Sequence, residues 1–348
     1  MASQLLITGA AGFIGANLVY RLLLMTDYSI VVLDALTYSG HLESLTSAMD
    51  NERLEFVHAD IRDAGAVRSV FDRFQPDGVI HLAAESHVDR SIESPMEFVT
   101  TNVQGTAVLL SEAERAWSGD TSKRFHHVST DEVFGTLGPT GRFSEETPYS
   151  PRSPYAASKA SSDHFVRAWA ETYGLNVVIT NCTNNYGPYQ FPEKLIPVVI
   201  DRLQRREQIP IYGDGSNVRD WLYVEDHCDA LIEVFNRGAP GETYCIGGET
   251  EMSNLDLVEA LCDIYDEVSG RDVGSSRGLI DFVTDRPGHD FRYAMDITKI
   301  RDDLGWSPSV DIFTGLRSTV GWYLGNQSWV DAVQSDEHDT FQGRWYTR

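Results

Sequence analysis

The chain is predicted to be an α/β protein: a Rossmann-type, doubly wound parallel sheet with a smaller C-terminal substrate-binding lobe. Three observations predict it. Short apolar runs alternate with longer amphipathic ones up to residue 183. The first run passes directly into a glycine-rich turn, Gly9-Ala10-Ala11-Gly12-Phe13-Ile14-Gly15. The second run ends on an acid, Asp34. Repeated strand–helix units imply parallel strands joined by right-handed crossovers.

Each element has its own local reason. Leu5-Leu6-Ile7 is too short and too apolar for anything but a buried strand. Gly12 to Leu24 carries Ile14, Leu18 and Leu22 at helical spacing. Ile30–Leu33 and Leu54–Val57 read as strands, Ala64–Phe74 as a helix, and Gly78–Leu82 as a fourth strand. Pro95 to Trp117 reads as one long helix, followed by a strand over Phe125–Ser129. Ser153-Pro154 supplies an N-cap and a proline at the first helical position. Asn176–Thr180 is the sixth strand.

After residue 183 the rhythm turns irregular. Asn184-Asn185-Tyr186-Gly187-Pro188, Tyr212-Gly213-Asp214-Gly215 and Asp285-Arg286-Pro287-Gly288 read as loops. The expected division is a dinucleotide-binding domain over 1–183, to which the chain returns near 220–246, a ligand-binding lobe over 184–325, and a polar tail over 326–348.

Composition narrows the function. The formal net charge of -24 excludes a nucleic-acid or anionic-membrane surface. No apolar run approaches the roughly 20 residues that span a bilayer, and the basic n-region of a signal peptide is missing, so a cytoplasmic protein is expected. Cys182, Cys228, Cys245 and Cys262 show no metal spacing, and the ten histidines form no helical ligand pair. No metal site is expected.

The glycine turn lies where a dinucleotide pyrophosphate meets a helix N-terminus. Its spacing, G-x-x-G-x-x-G, is a weak signal alone and gains weight from its position between strand and helix. Asp34 can accept from a ribose diol and repels a 2′-phosphate, which favours NAD over NADP. Asp60-Ile61 is placed to hold the adenine edge, and Leu82-Ala83-Ala84-Glu85-Ser86 offers small residues along the cofactor path.

Tyr155 and Lys159 are four apart on a helix and share a face. A phenol with pKa about 10 is a poor base; an adjacent ammonium and an oxidised nicotinamide favour its ionised form. Ser129-Thr130 ends the fifth strand at the carboxyl edge, where open sheets bind ligands. Asp131 and Glu132 follow at once. Oxidation of an alcohol needs only the tyrosine pair, whereas two neighbouring carboxyls add an acid and a base for elimination of water.

The series His81-Leu82-Ala83-Ala84-Glu85-Ser86-His87-Val88-Asp89, Ser129-Thr130-Asp131-Glu132-Val133, Tyr155-Ala156-Ala157-Ser158-Lys159, Asn184-Asn185-Tyr186-Gly187-Pro188-Tyr189, Pro192-Glu193-Lys194-Leu195-Ile196-Pro197 and Arg219-Asp220-Trp221 resembles the extended short-chain dehydrogenase/reductase family, and within it the sugar-nucleotide 4,6-dehydratases. Asp285-Arg286-Pro287-Gly288-His289-Asp290 extends the likeness, which runs from about Leu5 to Tyr323. The resemblance implies NAD as cofactor, dTDP-glucose as substrate and a homodimer paired through the helices near 95–117 and 153–172. It implies that Tyr155 deprotonates the C4 hydroxyl, Glu132 removes the C5 proton and Asp131 protonates the departing C6 hydroxyl, with Thr130 and Lys159 assisting. The expected cofactor set is Gly9, Gly12, Phe13, Ile14, Gly15, Asp34, Leu36, Thr37, Asp60, Ile61, Leu82, Ala83, Ala84, Ser86, Thr101, Tyr155, Lys159 and Asn185. The expected substrate set is Ser86, Thr130, Asn184, Glu193, Lys194, Leu195, Pro210, Tyr212, Arg219, Asn254, Arg286 and His289. Arg219 and Arg286 suit a diphosphate, since a guanidinium offers a two-pronged donor.

The chain departs from the family pattern at Phe134, where a tyrosine is usual, and in the shortness of Thr136–Ser150. A 4-epimerase on the same scaffold needs Tyr155 and Lys159 but no acid pair. A dehydratase of a UDP- or GDP-sugar keeps all the catalytic residues, and a non-catalytic sensor of the same ligands is a third alternative.

Overall fold

The computed structural model describes residues 3–285 and 289–334. β1 (Gln4–Thr8) leads into α1 (Phe13–Met25), β2 (Ser29–Asp34), β3 (Leu54–His58), α2 (Ala64–Phe74) and β4 (Gly78–His81). Next come α3 (Val88–Glu93), α4 (Pro95–Phe98), a wide turn over Val99–Gly105 and α5 (Thr106–Trp117). β5 (Arg124–Thr130), α6 (Pro154–Tyr173) and β6 (Val177–Cys182) finish the regular alternation. The later half adds β7 (Asn184–Tyr186), α7 (Leu195–Arg205), β8 (Ile209–Tyr212), β9 (Val218–Tyr223), α8 (Val224–Arg237) and β10 (Thr243–Ile246). β11 (Glu251–Ser253), α9 (Asn254–Val268), β12 (Ile280–Val283), α10 (Thr298–Leu304), α11 (Ile312–Gly325) and α12 (Gln327–Val333) follow.

Among the described residues the large sheet has seven strands in the order β3-β2-β1-β4-β5-β6-β10, each pair parallel. The order reverses between β1 and β4, and that crevice is where such sheets bind ligands. Alternate strand residues serve opposite faces. Leu5, Ile7, Ile30 and Val32 pack in one apolar layer with α1 and α8, while Leu6, Val31, Leu33 and Val79 pack in another with α2 and α5.

The single helix expected over 95–117 is corrected. Helix begins at Val88, and the chain widens at Val99–Gly105 before resuming. The cause is local. Asn102 turns inward, exchanging hydrogen bonds with the Glu85 backbone at 2.8 and 2.9 Å and donating to Ser158 at 2.8 Å. Gly105 passes so close to Ile61 that a Cβ there would stand 2.5 Å from its Cδ1. The Asn184–Tyr186 turn is also corrected: it is a short strand, β7, pairing parallel with β9.

A second core, separate from the sheet layers, is built from α7, α9, α11 and α12. The expectation of a polar tail from 326 is corrected over its first part: α12 buries Trp329, Val330 and Val333. Trp329 meets Trp322 and Tyr189 edge-on, and its indole N–H donates to Ser44 Oγ at 3.2 Å. Aromatic rings offer the most apolar area per residue, which is why so short a helix holds. Residues 335–348 lie outside the described residues. Trp329→Ala should cost about 3–5 kcal/mol, the usual range for a buried large aromatic, as measured by urea unfolding; a loss below about 1 kcal/mol would show that α12 adds nothing to the core.

Candidate active site

The glycine turn is set by close approach. Gly9 has φ +72°, and a Cβ there would lie 2.6 Å from Ala83 N. A Cβ on Gly15 would lie 2.4 Å from Gly9 O. The turn therefore packs flat between β4 and α1, and the N-terminus of α1 opens on a cavity. Asp34 ends β2 inside this fold of chain. It accepts from Ala11 N and Leu36 N, both at 2.8 Å, and burial pushes its pKa up.

Asp60 departs from the adenine-edge expectation in one respect: both its oxygens are held by the Arg62 guanidinium, at 2.6–3.0 Å. Arg62 itself lines the cavity. A surface carboxylate two residues from an arginine is captured by it, and spacing alone does not reveal this.

At the carboxyl end of β5 the chain enters a tight helical turn, Asp131–Phe134. Thr130 Oγ1 caps this turn, accepting from Glu132 N at 3.3 Å and donating to Asp131 Oδ1 at 3.2 Å. Asp131 is buried, and its Oδ2 has no hydrogen-bond partner among the described residues. Burial raises its pKa well above the usual range; the Glu132 charge adds to this and Arg219 opposes it. Here desolvation outweighs the attraction of Arg219.

Ser153 Oγ accepts from Ala156 N at 3.0 Å and starts α6, placing Tyr155 in its first turn. Burial is the main cause of the raised phenol pKa, followed by the Glu132 charge and Cys182; the Thr130 hydroxyl opposes them. Lys159, one turn further along the helix, donates from its ammonium to Val128 O at 2.8 Å. A buried ammonium must find an acceptor, and the carbonyl at the end of β5 supplies one.

The later segments close the other side. Lys194 Nζ donates to Ser86 O at 3.2 Å. Glu193 is buried, accepts from Tyr38 OH at 3.2 Å, and lies 3.8 Å from both Arg90 and His87. Burial pushes its pKa up to about 7. Arg219 does not present an open fork. Its two terminal nitrogens donate to the carbonyls of Val218, Asp290 and Phe291, and its guanidinium lies 4.4 Å over the Tyr293 ring. His289 Nδ1 is 2.7 Å from Asp285 Oδ1. Arg286 lies outside the described residues.

One cavity of about 460 Å³ unites these groups, within the range of small-molecule sites. Every predicted site residue among those described lines it except Leu36, whose neighbours Ala35 and Thr37 do. Sequence reasoning passed over His87, Cys182, Thr183, Gln190 and Phe191, which line it too. Cys182 and Thr183 had a signal: they leave the carboxyl end of β6 beside β5. Phe134 does not line the cavity; it stacks on Phe143 at 5.2 Å and meets Tyr149 edge-on. Its missing hydroxyl belongs to the core.

The sheet order, the glycine turn and a helix carrying Tyr155 and Lys159 beside β5 define an extended short-chain dehydrogenase/reductase. A family model described as GDP-mannose 4,6 dehydratase matches residues 6–319, and the chain belongs to that family. The dTDP-glucose 4,6-dehydratase of Escherichia coli is 49% identical over 352 residues, covering 96% of this chain and 97% of the relative. That of Xanthomonas campestris pv. campestris is 52% identical over 334 residues, covering 94% and 95%. Among solved structures, the dTDP-glucose 4,6-dehydratase DesIV of Streptomyces venezuelae, with NAD and TYD bound, has a TM-score of 0.88 at 45% identity over 95% of this chain and 100% of its own. The UDP-glucose 4-epimerase of Thermotoga maritima, with UDP-glucose, has a TM-score of 0.83 at 29% identity, over 93% and 99%.

Glu193 makes stability depend on pH. Its folded pKa is raised from 4.5 to about 7, so its contribution is whole below about 4.5 and is lost as pH rises to about 7. Glu193→Gln keeps an uncharged acceptor for Tyr38 at every pH. The variant should gain melting temperature over the parent between pH 5 and pH 8; a gap that stays constant over this range would refute the raised value.

Proposed function

We propose that this protein converts dTDP-glucose to dTDP-4-keto-6-deoxyglucose and water, as an NAD-dependent hydro-lyase. The observation that carries this reading is the convergence of Tyr155, Asp131 and Glu132 on one cavity. An epimerase has no use for the two carboxyls. The relatives at about half identity are dehydratases, whereas the epimerase neighbours fall below a third.

The cavity fits a dinucleotide. The turn at Gly9–Gly15 leaves the first amides of α1 facing it, Asp34 stands at the end of β2, and the lining residues Asn185 and Thr183 have a buried Oδ1 and Oγ1 with no partner among the described residues. When bound, NAD supplies the hydride acceptor for C4, the hydride donor for C6 and a positive charge beside the phenol. The 1–183 domain would hold it, and the 184–325 lobe the sugar nucleotide.

The residues divide the proton work. Tyr155 takes the proton of the C4 hydroxyl, with the Thr130 hydroxyl holding the phenol in reach. Once C4 is a ketone, the C5 proton is acidic and Glu132 removes it. Asp131, whose burial favours the protonated form, gives its proton to the C6 hydroxyl, and water leaves. A proton returned at C5 completes the balance. Two carboxyls in one dry site cannot both be ionised easily, so the buried Asp131 is the acid and the less buried Glu132 the base.

Two further features complete the reading. Met96, Val99 and Phe165 expose apolar side chains along the α4–α6 side, which supports a homodimer through those helices. The four cysteines are unpaired and buried, which suits a reducing cytoplasm. Among the described residues no helix is long and apolar enough to cross a membrane.

Incubation with dTDP-glucose should yield a product lighter by one water, read by mass spectrometry. Appearance of dTDP-galactose at unchanged mass would sink the dehydratase reading, and a preference for UDP- or GDP-glucose would overturn the nucleotide. Glu132→Gln should lose about 10²–10⁴-fold of product formation, the usual worth of a positioned acid or base, while NADH absorbance still appears on mixing. Tyr155→Phe should suppress that absorbance; its persistence at the parent's rate would remove Tyr155 as the base.

A further inference from the structure

Behind the reacting groups, Asp163 forms a hub that no step above uses. It lies one turn beyond Lys159 on α6 and is fully buried. Its Oδ2 accepts from Ser129 Oγ at 2.9 Å, from Tyr149 OH at 2.8 Å and from Asn181 Nδ2 at 3.5 Å. Its Oδ1 lies 3.1 Å from His127 Nε2. Asn181 Nδ2 also donates to Thr130 O at 3.0 Å.

These contacts cover the last three residues of β5 in turn. Val128 holds the Lys159 ammonium through its carbonyl, Ser129 is held by Asp163, and Thr130 is held by Asn181 from the same hub. The next two residues are Asp131 and Glu132. Tyr149 brings in the segment before α6, which is pinned beneath the acid pair by Ser150 N donating to Val133 O at 2.9 Å. One carboxylate therefore ties β5, β6, α6 and that segment together.

The same carboxylate is the principal negative charge facing Lys159. The other titratable groups facing the ammonium are His81 and His127 from β4 and β5 and Cys182 from β6. Burial and Lys159 hold His127 down to about 4, so at neutral pH it is an uncharged neighbour. Without Asp163, a buried ammonium would keep only a carbonyl and dipoles, and its charged form would weaken.

We propose that Asp163 is a positioning residue of the reaction: its carboxylate keeps Lys159 charged and holds the end of β5 so that Thr130, Asp131 and Glu132 meet the substrate in register. The proposal rests on the dehydratase reading.

The test is the pH profile of kcat for dTDP-glucose with NAD present. In Asp163→Asn the amide keeps the shape and loses the charge. Lys159 then gives up its proton more easily, so the alkaline limb should move down by at least one pH unit, with kcat at its optimum reduced tenfold or more. Tyr149→Phe and Ser129→Ala keep the charge and each remove one hydrogen bond. They should lower kcat at least threefold with KM within twofold and leave the alkaline limb in place. An Asp163→Asn limb that coincides with the parent's would overturn the proposal. So would unchanged kcat in both hydroxyl variants, which decides the matter if Asp163→Asn does not fold. Absence of product from the parent enzyme would overturn the dehydratase reading and this proposal with it; product from the parent with unmoved variants overturns only the proposal.

Discussion

The burial of Lys159 against the end of β5 is the constraint on which the site depends. A charged amine buried between α6 and the sheet must be satisfied by the groups around it. The Val128 carbonyl and the Asp163 carboxylate answer that need, and in doing so they lock a helix to a strand terminus. Tyr155 is held by the same helix, and the acid pair by the same strand. The relative position of phenol and carboxyls is thus a by-product of satisfying one buried cation and one buried anion.

A second consequence concerns protons. Asp131 and Tyr155 both have their pKa values pushed up, chiefly by burial, and in each case the Glu132 charge adds to it. In the proposed reaction this lets two adjacent carboxyls of the same intrinsic chemistry take opposite duties. The shape of the cavity also depends on remote packing. The aromatic cluster of Tyr189, Trp322, Tyr323 and Trp329 is far from the acids in sequence, yet it anchors the loop that carries Gln190, Phe191 and Glu193 onto the mouth of the site.

Much of this was legible beforehand. Strands such as Leu5–Ile7 and Ile30–Leu33 were readable because a parallel strand covered on both faces must be apolar throughout. The turn at Gly9–Gly15 was readable because only glycine tolerates the approach to Ala83 and the crossing of α1. The break at Val99–Gly105 was not, since it answers to Asn102 reaching Glu85 and Ser158, partners distant in sequence. Nor were β7, α7, α9 and α11 read as elements, because their faces are buried against one another instead of against a repeating sheet. Arg219 was assigned to the ligand by the family resemblance together with its two-pronged donor, and backbone carbonyls from β9 and the 290–291 segment hold that fork.

The sequence by itself determined which chemical groups are present, the order of strands and helices that delivers them to one sheet edge, and the preference for a diol-bearing cofactor through Asp34. These are local properties: periodicity, turn chemistry and the spacing of a tyrosine from a lysine. Only the tertiary structure decided which of the two carboxyls lies deeper, which acceptor takes the Lys159 ammonium, and that Asp163 is buried behind the end of β5. Those outcomes depend on burial and on distances between segments far apart in the chain. Desolvation and Coulomb energy are set by the packed interior, and no pattern along the chain encodes how deep a given carboxylate will lie.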